Sequence, residues 1–196
     1  MEIYSLDDVF QYLNNESNYK EAVKRRICKI ILGSSVIRVF EEKTKADLID
    51  CLMRIDVKSL YLISSQKKYD AWHKKKITTV YNCLLKNNNR RFKKKEWDGL
   101  KWGHATKIFN LYIGHLMYYS PYFSDTKYVK RLYSYLHVPL DSKAFSVLKN
   151  AGLKPPSSIK SINELQYIEM QDILRKAASA YGMAPIIFDE YAWAVS

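Results

Sequence analysis

Two residues of this sequence have the types and spacing that suit catalysis, a lysine and an aspartate. Lys107 lies early in an apolar helical stretch at residues 105–119, and Asp141 follows Pro139 just past the next loop. A helix-borne amine and a carboxylate in this order can face one pocket across a helix–loop–helix hairpin. Such a pair can attack a sugar carbon with the amine and stabilise the resulting cation with the carboxylate.

The surroundings of each residue fit this chemistry, although simpler interpretations also exist. A lysine attacks carbon only when neutral, and burial and nearby positive charge both favour the neutral amine. Lys107 has apolar neighbours and a cationic stretch before it. Asp141 precedes a predicted helix, whose dipole favours an ionised carboxylate. Asp141 is equally suited to a plain helix cap, and Lys107 to a solvated charge, so spacing leaves both interpretations open.

The charge of the chain is concentrated in one segment. The formal net charge is +12, and residues 67–107 hold 13 Lys and Arg against three acidic residues, a net of +10. Aromatic side chains are interleaved there, namely Trp72, Phe92, Trp97 and Trp102. A basic segment with aromatic residues favours a nucleic-acid partner, and the alternative is a solvated, solubilising face.

The remaining composition excludes several classes of protein. Three cysteines cannot form a four-cysteine metal site, and the four histidines lack ligand spacing, so we expect neither metal nor organic cofactor. We find no signal peptide and no apolar run that could span a bilayer, so no membrane partner is expected. These features predict a monomer in the reducing cytoplasm, associated with the nucleoid through its DNA binding.

Hydrophobic spacing predicts an all-α protein with a single domain over residues 1–196. Apolar residues recur every three or four positions, and alternation long enough for a sheet is absent. Capping signals are predicted at Ser5, Thr44 and Ser161, and helix stops at Gly33 and Gly182. Helices are predicted near residues 6–13, 19–32, 45–55, 66–85, 103–119, 126–136, 142–149 and 162–181, with a loop at 86–95 and a last apolar segment at 186–195.

Three motifs in register give the chain a resemblance to a known family. They are KIFNLYI at 107–113, VPLD at 138–141 and YGMAPIIFDEYAW at 181–193. In this order they resemble the archaeal 8-oxoguanine DNA glycosylase (AGOG) branch of the helix–hairpin–helix glycosylases. The family tail places a Trp four residues after an Asp, and Asp189 and Trp193 keep that separation. The resemblance covers roughly residues 99–195.

The resemblance implies a fold, an activity and roles for particular residues. The fold would be all-α, with an active-site cleft between two helical lobes. The activity would be that of a DNA glycosylase with associated lyase activity, acting on duplex DNA that contains a damaged or modified base. Lys107 would attack C1′ and form a Schiff base, and Asp141 would stabilise the developing cation. Asp189 would hydrogen-bond the extruded base, and Trp193 would stack on it.

The resemblance also implies where the DNA backbone is held. The sequence GLKWGH at 99–104 would form the hairpin, within a helix–hairpin–helix region at about 85–120. Phosphate contacts of this kind do not depend on base sequence. The residues predicted to contact phosphates are Lys93, Lys94, Lys95, Lys101, Gly103 and His104.

Two positions of the predicted base pocket depart from the family pattern. The family's Gln is Asn18 here, and its stacking Phe is Leu111. Smaller residues would admit a bulkier base, so we expect a substrate other than, or beyond, 8-oxoguanine, for instance a glycosylated pyrimidine of phage DNA. Two alternatives stay open. One is a monofunctional glycosylase in which Asp141 activates water, and the other is a non-catalytic nucleic-acid-binding protein.

Overall fold

All regular secondary structure in the described part of the chain is helical. The computed structural model describes residues 5–33, 42–86, 102–118, 122–123 and 125–195. Across these ranges the α-helices are α1 (Leu6–Asn14), α2 (Glu16–Leu32), α3 (Glu42–Arg54), α4 (Gln66–Lys86), α5 (Trp102–Tyr118), α6 (Thr126–Tyr133), α7 (Ser142–Asn150), α8 (Glu164–Ser179) and α9 (Ile187–Ala194), with a 3₁₀ helix at Lys58–Leu62. The prediction of an all-α protein is confirmed for these residues.

Helix starts follow local capping chemistry, and two of the three predicted caps are wrong. Ser5 and Asp8 form the predicted capping box of α1. Thr44 lies inside α3 and is fully buried, so it packs in the core instead of capping. Asn163, with Gln166, caps α8. The Ser161 hydroxyl is used in the preceding turn, where it donates to the Ser158 carbonyl at 2.9 Å.

The predicted stop at Gly182 is confirmed, although α8 ends slightly before it. Gly182 has φ +63°, a left-handed conformation that only glycine adopts at little cost. The Met183 N–H then donates back to the Ala178 carbonyl at 3.0 Å, closing the end of the helix. The chain then leads into α9, which carries two of the predicted site residues.

Buried apolar side chains form two clusters. The larger cluster is built from α2 to α6 together with Ile186, and the smaller one from α7, α8 and residues 138–140. Trp102, at the start of α5, packs against both clusters, and Phe188 packs against the smaller one. Helix α5 is buried along most of its length, so any polar residue on it needs a partner.

Packing explains the glycine at the start of α5. A side chain at Gly103 would collide with Ile162 and with the Ile159 carbonyl. The backbone of α5 therefore approaches the segment before α8 as closely as glycine permits. None of the helices in the described ranges combines the length and apolarity needed to cross a membrane.

Candidate active site

The predicted pair is formed, and it is buried. Lys107 Nζ donates to Asp141 Oδ2 at 2.8 Å, and the two residues are only 5% and 6% exposed. Helix α5 positions the lysine, and the start of α7 positions the aspartate. Burial of an ion pair costs desolvation that only good geometry offsets, so removing one partner leaves the other charge uncompensated. An amine and a carboxylate in contact, away from water, can exchange a proton and stabilise a positive charge.

Asp141 serves two purposes at once. Its Oδ1 accepts the backbone N–H groups of Lys143 at 2.9 Å and Ala144 at 3.0 Å, which caps α7. Its Oδ2 accepts the hydrogen bond from Lys107 Nζ. The two interpretations that the sequence left open for Asp141 are therefore compatible, because each uses a different oxygen. The cap also fixes the orientation of the carboxylate toward Lys107.

Lys107 opens on a cavity of about 790 Å³. The residues that α2 contributes to its lining are mostly apolar, whereas α5 and α9 contribute several polar side chains. Ligand cavities are typically about 300–1,000 Å³ and combine an apolar lining with a few placed polar groups. The cavity residues used below are Lys107, Asn110, Leu111, Asp189 and Trp193. Three of the predicted base-binding residues thus line the same cavity as the predicted nucleophile.

Asp189 holds an unsatisfied oxygen beside the ion pair. No described residue donates a hydrogen bond to its buried Oδ1. Burial, with the negative charge of Asp141, raises the pKa of Asp189 to about 7, and the charge of Lys107 opposes that rise. A buried polar atom without a partner is costly in a folded protein. An Asp189 oxygen at the cavity wall is therefore suited to bonding a ligand, as donor or acceptor according to its protonation.

Trp193 stands at the rim of this cavity. It is 50% exposed, and the Lys143 ammonium lies 4.3 Å from the centre of its ring. A cation over a tryptophan face is attracted by the ring's electrons, and this contact orients the ring. Leu111 lies one turn beyond Lys107 on α5, in the predicted relation to it. Half of the Trp193 surface is exposed, so a ligand in the cavity can reach this side chain.

The other predicted site residues fall elsewhere. The Asn18 side chain donates to the Tyr12 carbonyl at 3.1 Å, and its neighbour Tyr19, not Asn18, contributes to the cavity wall. Gly103 and His104 are buried at packing positions of α5, so the His104 side chain does not face solvent. Four predicted phosphate contacts, Lys93, Lys94, Lys95 and Lys101, lie outside the described residues, as do residues 99–101, the first half of the predicted hairpin.

A second buried polar group lies behind the pair, around Asn110. His73 Nε2 donates to Asn110 Oδ1 at 2.6 Å, because the Asn110 amide nitrogen already donates to Tyr167 Oη at 2.8 Å. His137 Nδ1 lies 2.9 Å from that hydroxyl, and its Nε2 lies 2.8 Å from Asp70 Oδ1. Burial lowers the pKa of His73 well below its ordinary value, and that of His137 as well. Both pKa shifts favour the neutral form of the imidazole ring.

Sequence reasoning missed Asn110 and Gln171. Asn110 lines the cavity and belongs to the buried network. Gln171 is 2% exposed and bonds the backbone of Val138. Each is an uncharged polar residue on a buried helix face. Asn110 lies three residues after Lys107, and Gln171 lies four residues after Tyr167. That pattern was the available signal, because a buried amide requires partners.

Known proteins give no independent support for a family assignment. Comparison with models of protein families, with curated protein sequences and with solved structures finds no match to this chain. No group of three or more His, Cys, Asp or Glu side chains in the described ranges is placed to hold a metal ion. The resemblance to the AGOG branch therefore stays a prediction.

Proposed function

We propose that the protein is a DNA glycosylase with lyase activity, which uses Lys107 as its nucleophile. The observation that carries the proposal is the buried contact of 2.8 Å between Lys107 Nζ and Asp141 Oδ2 at the wall of the cavity. Few lysines are buried, and a buried lysine that meets a carboxylate beside a ligand-sized cavity is suited to covalent catalysis.

The reaction follows from these positions. A target base, extruded from the duplex, enters the cavity and brings its sugar C1′ to Lys107. The amine forms a bond to C1′, and the bond from C1′ to the base breaks, with its electron pair leaving on the base. Lys107 attacks as the neutral amine, so the ionised Asp141 carboxylate balances the positive charge that develops on the sugar. Once the bond to C1′ has formed, Asp141 takes the proton that the new ammonium group loses. The nitrogen lone pair then forms a double bond to C1′ as the bond from C1′ to the ring oxygen breaks and that oxygen takes up a proton, which gives a Schiff base. Loss of a C2′ proton to the released base or to water forms a C2′–C3′ double bond, and the 3′ phosphate leaves with the electron pair of its bond to C3′.

The basic character of the chain supplies the affinity for DNA. The net charge of +12 favours a polyanion, and contacts with phosphates release counterions and weaken as salt rises. The proposed partner is duplex DNA carrying a damaged or modified base. Asp189 and Trp193 would bind that base, the first through its unsatisfied oxygen and the second by stacking.

The size of the cavity supports a base bulkier than 8-oxoguanine. A volume of about 790 Å³ exceeds what a flat purine occupies, and Leu111 leaves space where the family carries Phe. A monofunctional glycosylase acting on glycosylated pyrimidines of phage DNA is therefore the second candidate. In that reaction Asp141 would activate a water molecule, and Lys107 would only hold the carboxylate in place.

Borohydride trapping tests the nucleophile. Incubation with a panel of duplexes, each with one modified base, should give a covalent protein–DNA adduct for at least one base. Lys107→Ala should give none, whereas the exposed-lysine control Lys149→Ala should behave as wild type. Base release without an adduct would support the monofunctional candidate. Neither release nor adduct with any duplex would leave the non-catalytic binding protein as the better account.

Substitution at Leu111 tests the size of the base. Leu111→Phe should narrow the cavity and lower activity on bulky bases by about tenfold or more relative to 8-oxoguanine. The control Leu62→Phe places the same change at a position that is 80% exposed. Equal activity of Leu111→Phe on large and small bases would contradict the assignment of Leu111 to the base pocket.

A further inference from the structure

The position of Asp141 depends on how the backbone before it is held. Three residues earlier, Val138 is fully buried and bonded at both of its backbone groups. Its N–H donates to Gln171 Oε1 at 2.9 Å, and its carbonyl accepts Gln171 Nε2 at 2.8 Å. One side-chain amide thus pairs with this residue as a neighbouring β-strand would. The segment before α7 is tied to α8 in this way.

The same carbonyl is also tied to α5. Asn110 Nδ2 lies 3.2 Å from the Val138 oxygen, and Asn110 is one turn beyond Lys107 on that helix. The segment that carries the carboxylate is therefore fixed directly to the helix that carries the amine. A shift of Val138 would move Asp141 relative to Lys107, because the intervening Pro139 restricts the backbone.

The segment is held at its other end by the cap of α7. Asp141 Oδ1 accepts two backbone N–H groups there, so the carboxylate cannot rotate freely. Two anchors, Gln171 before the aspartate and the cap after it, determine where Asp141 Oδ2 lies. A single anchor would leave the turn at residues 139–140 free to change the separation of the two charged groups.

We propose that Gln171 is a positioning residue for the Lys107–Asp141 pair. It touches neither the cavity nor the reacting atoms, and it acts by holding Val138 at a fixed place between α5 and α8. Loss of Gln171 should slow base release, and this expectation rests on the proposed glycosylase function. Loss of Gln171 should also weaken the coupling between Lys107 and Asp141, and this expectation does not depend on the proposed function.

The kinetic test uses Gln171→Met, which keeps the length of the side chain and removes both bonds to Val138. Single-turnover base release at saturating DNA should fall by about 10- to 100-fold, since small misplacements of a reacting group reduce rates on this scale. The DNA concentration for half-maximal rate should not change. Gln171→Glu keeps an acceptor for the Val138 N–H and should lose less.

The second readout does not need DNA. A double-mutant cycle of Lys107→Met and Asp141→Asn, followed by urea unfolding, measures the coupling between the pair. That coupling should fall by roughly half or more in the Gln171→Met background, as expected when a contact loosens. Leu174→Ala, a buried α8 position without a bond to Val138, is the matched control for general destabilisation and should preserve the coupling.

The two readouts separate the possible failures. Unchanged coupling and unchanged rate in Gln171→Met would overturn the positioning role, while wild-type activity would keep the proposed function. Reduced coupling in a protein that releases no base would support the positioning role and reject the glycosylase. If Gln171→Met does not fold, the same two measurements on Gln171→Glu decide. A coupling lost equally in Leu174→Ala would also overturn the proposal, because it would show a general effect.

Discussion

Helix α5 carries two buried polar regions, one turn apart, that differ in how completely their groups are paired. Around Asn110, both polar atoms of the Asn110 amide, His73 Nε2 and Tyr167 Oη each have a hydrogen-bond partner. Around Lys107, the ion pair is formed, but Asp189 Oδ1 beside it has no partner among the described residues. Both regions border the cavity, through Asn110 and Lys107 respectively, but only the second presents to it a polar atom without a described partner.

The difference indicates which region is structural and which is chemical. A buried network whose polar atoms are paired with one another stabilises one arrangement of the helices. A buried carboxylate oxygen without a partner costs stability, and its pKa is raised to about 7 mainly by burial. We infer that the Lys107 region is maintained for function, and that the Asn110 region holds it in place.

The largest predicted effect concerns the Lys107 region. Asp141→Asn keeps the cap of α7, because asparagine caps as well as aspartate, and removes the charge that stabilises the cation. Base release at saturating DNA should fall by about 100- to 1,000-fold, as when other transition-state contacts are removed. DNA affinity, measured by fluorescence anisotropy, should change little. A loss of affinity as large as the loss of rate would assign Asp141 a structural role.

The next largest effect is the change in the free energy of unfolding with pH that the unpaired carboxyl group of Asp189 causes. Between about pH 4 and pH 7 the folded protein keeps a proton on Asp189 that the unfolded chain has lost, because its folded pKa is raised to about 7. Stability should therefore fall as pH rises, by up to about 1.4 kcal/mol per pH unit from this group. Asp189→Asn should remove that dependence in urea unfolding, and the exposed-position control Asp50→Asn should not. An identical slope in Asp189→Asn and wild type would contradict the assignment.

The smallest effect is expected in the Asn110 region. Tyr167→Phe removes the hydroxyl between Asn110 and His137 and should lower the free energy of unfolding by about 1–3 kcal/mol. The rate of base release should stay close to wild type, because Gln171 still holds both backbone groups of Val138. Thermal unfolding and single-turnover kinetics measure the two effects. A large loss of rate with little loss of stability would reverse the roles of the two regions.

The sequence predicted the helices well because their signals are local. Three-to-four-residue apolar spacing and the cap at Ser5 depend on neighbouring residues only, and the structure confirms them. The caps predicted at Thr44 and Ser161 are wrong, because Thr44 is buried inside α3 and the Ser161 hydroxyl donates to the Ser158 carbonyl. Both competing interactions involve the folded chain around the residue, which the capping pattern does not contain.

The candidate site was predictable in part. The sequence predicted the approach of Lys107 to Asp141 across a helix–loop–helix hairpin, and the structure places their charged atoms in contact, although helix α6 lies between α5 and α7 in the chain. The roles of Asn110 and Gln171 were not predictable, since their partners are distant in sequence: Val138 lies 33 residues from Gln171. Periodicity identifies which helix face is buried, but it does not identify which backbone group a buried amide will meet.

The most direct test of the central claim is to locate the covalent bond to DNA. Wild-type protein, trapped with borohydride on a duplex that it cleaves, can be digested and its DNA-linked peptide sequenced by mass spectrometry. The account predicts that the sugar is attached to Lys107 Nζ, and that Asp141→Asn forms the same adduct much more slowly. Attachment to any other lysine or to the N-terminal amine would contradict it.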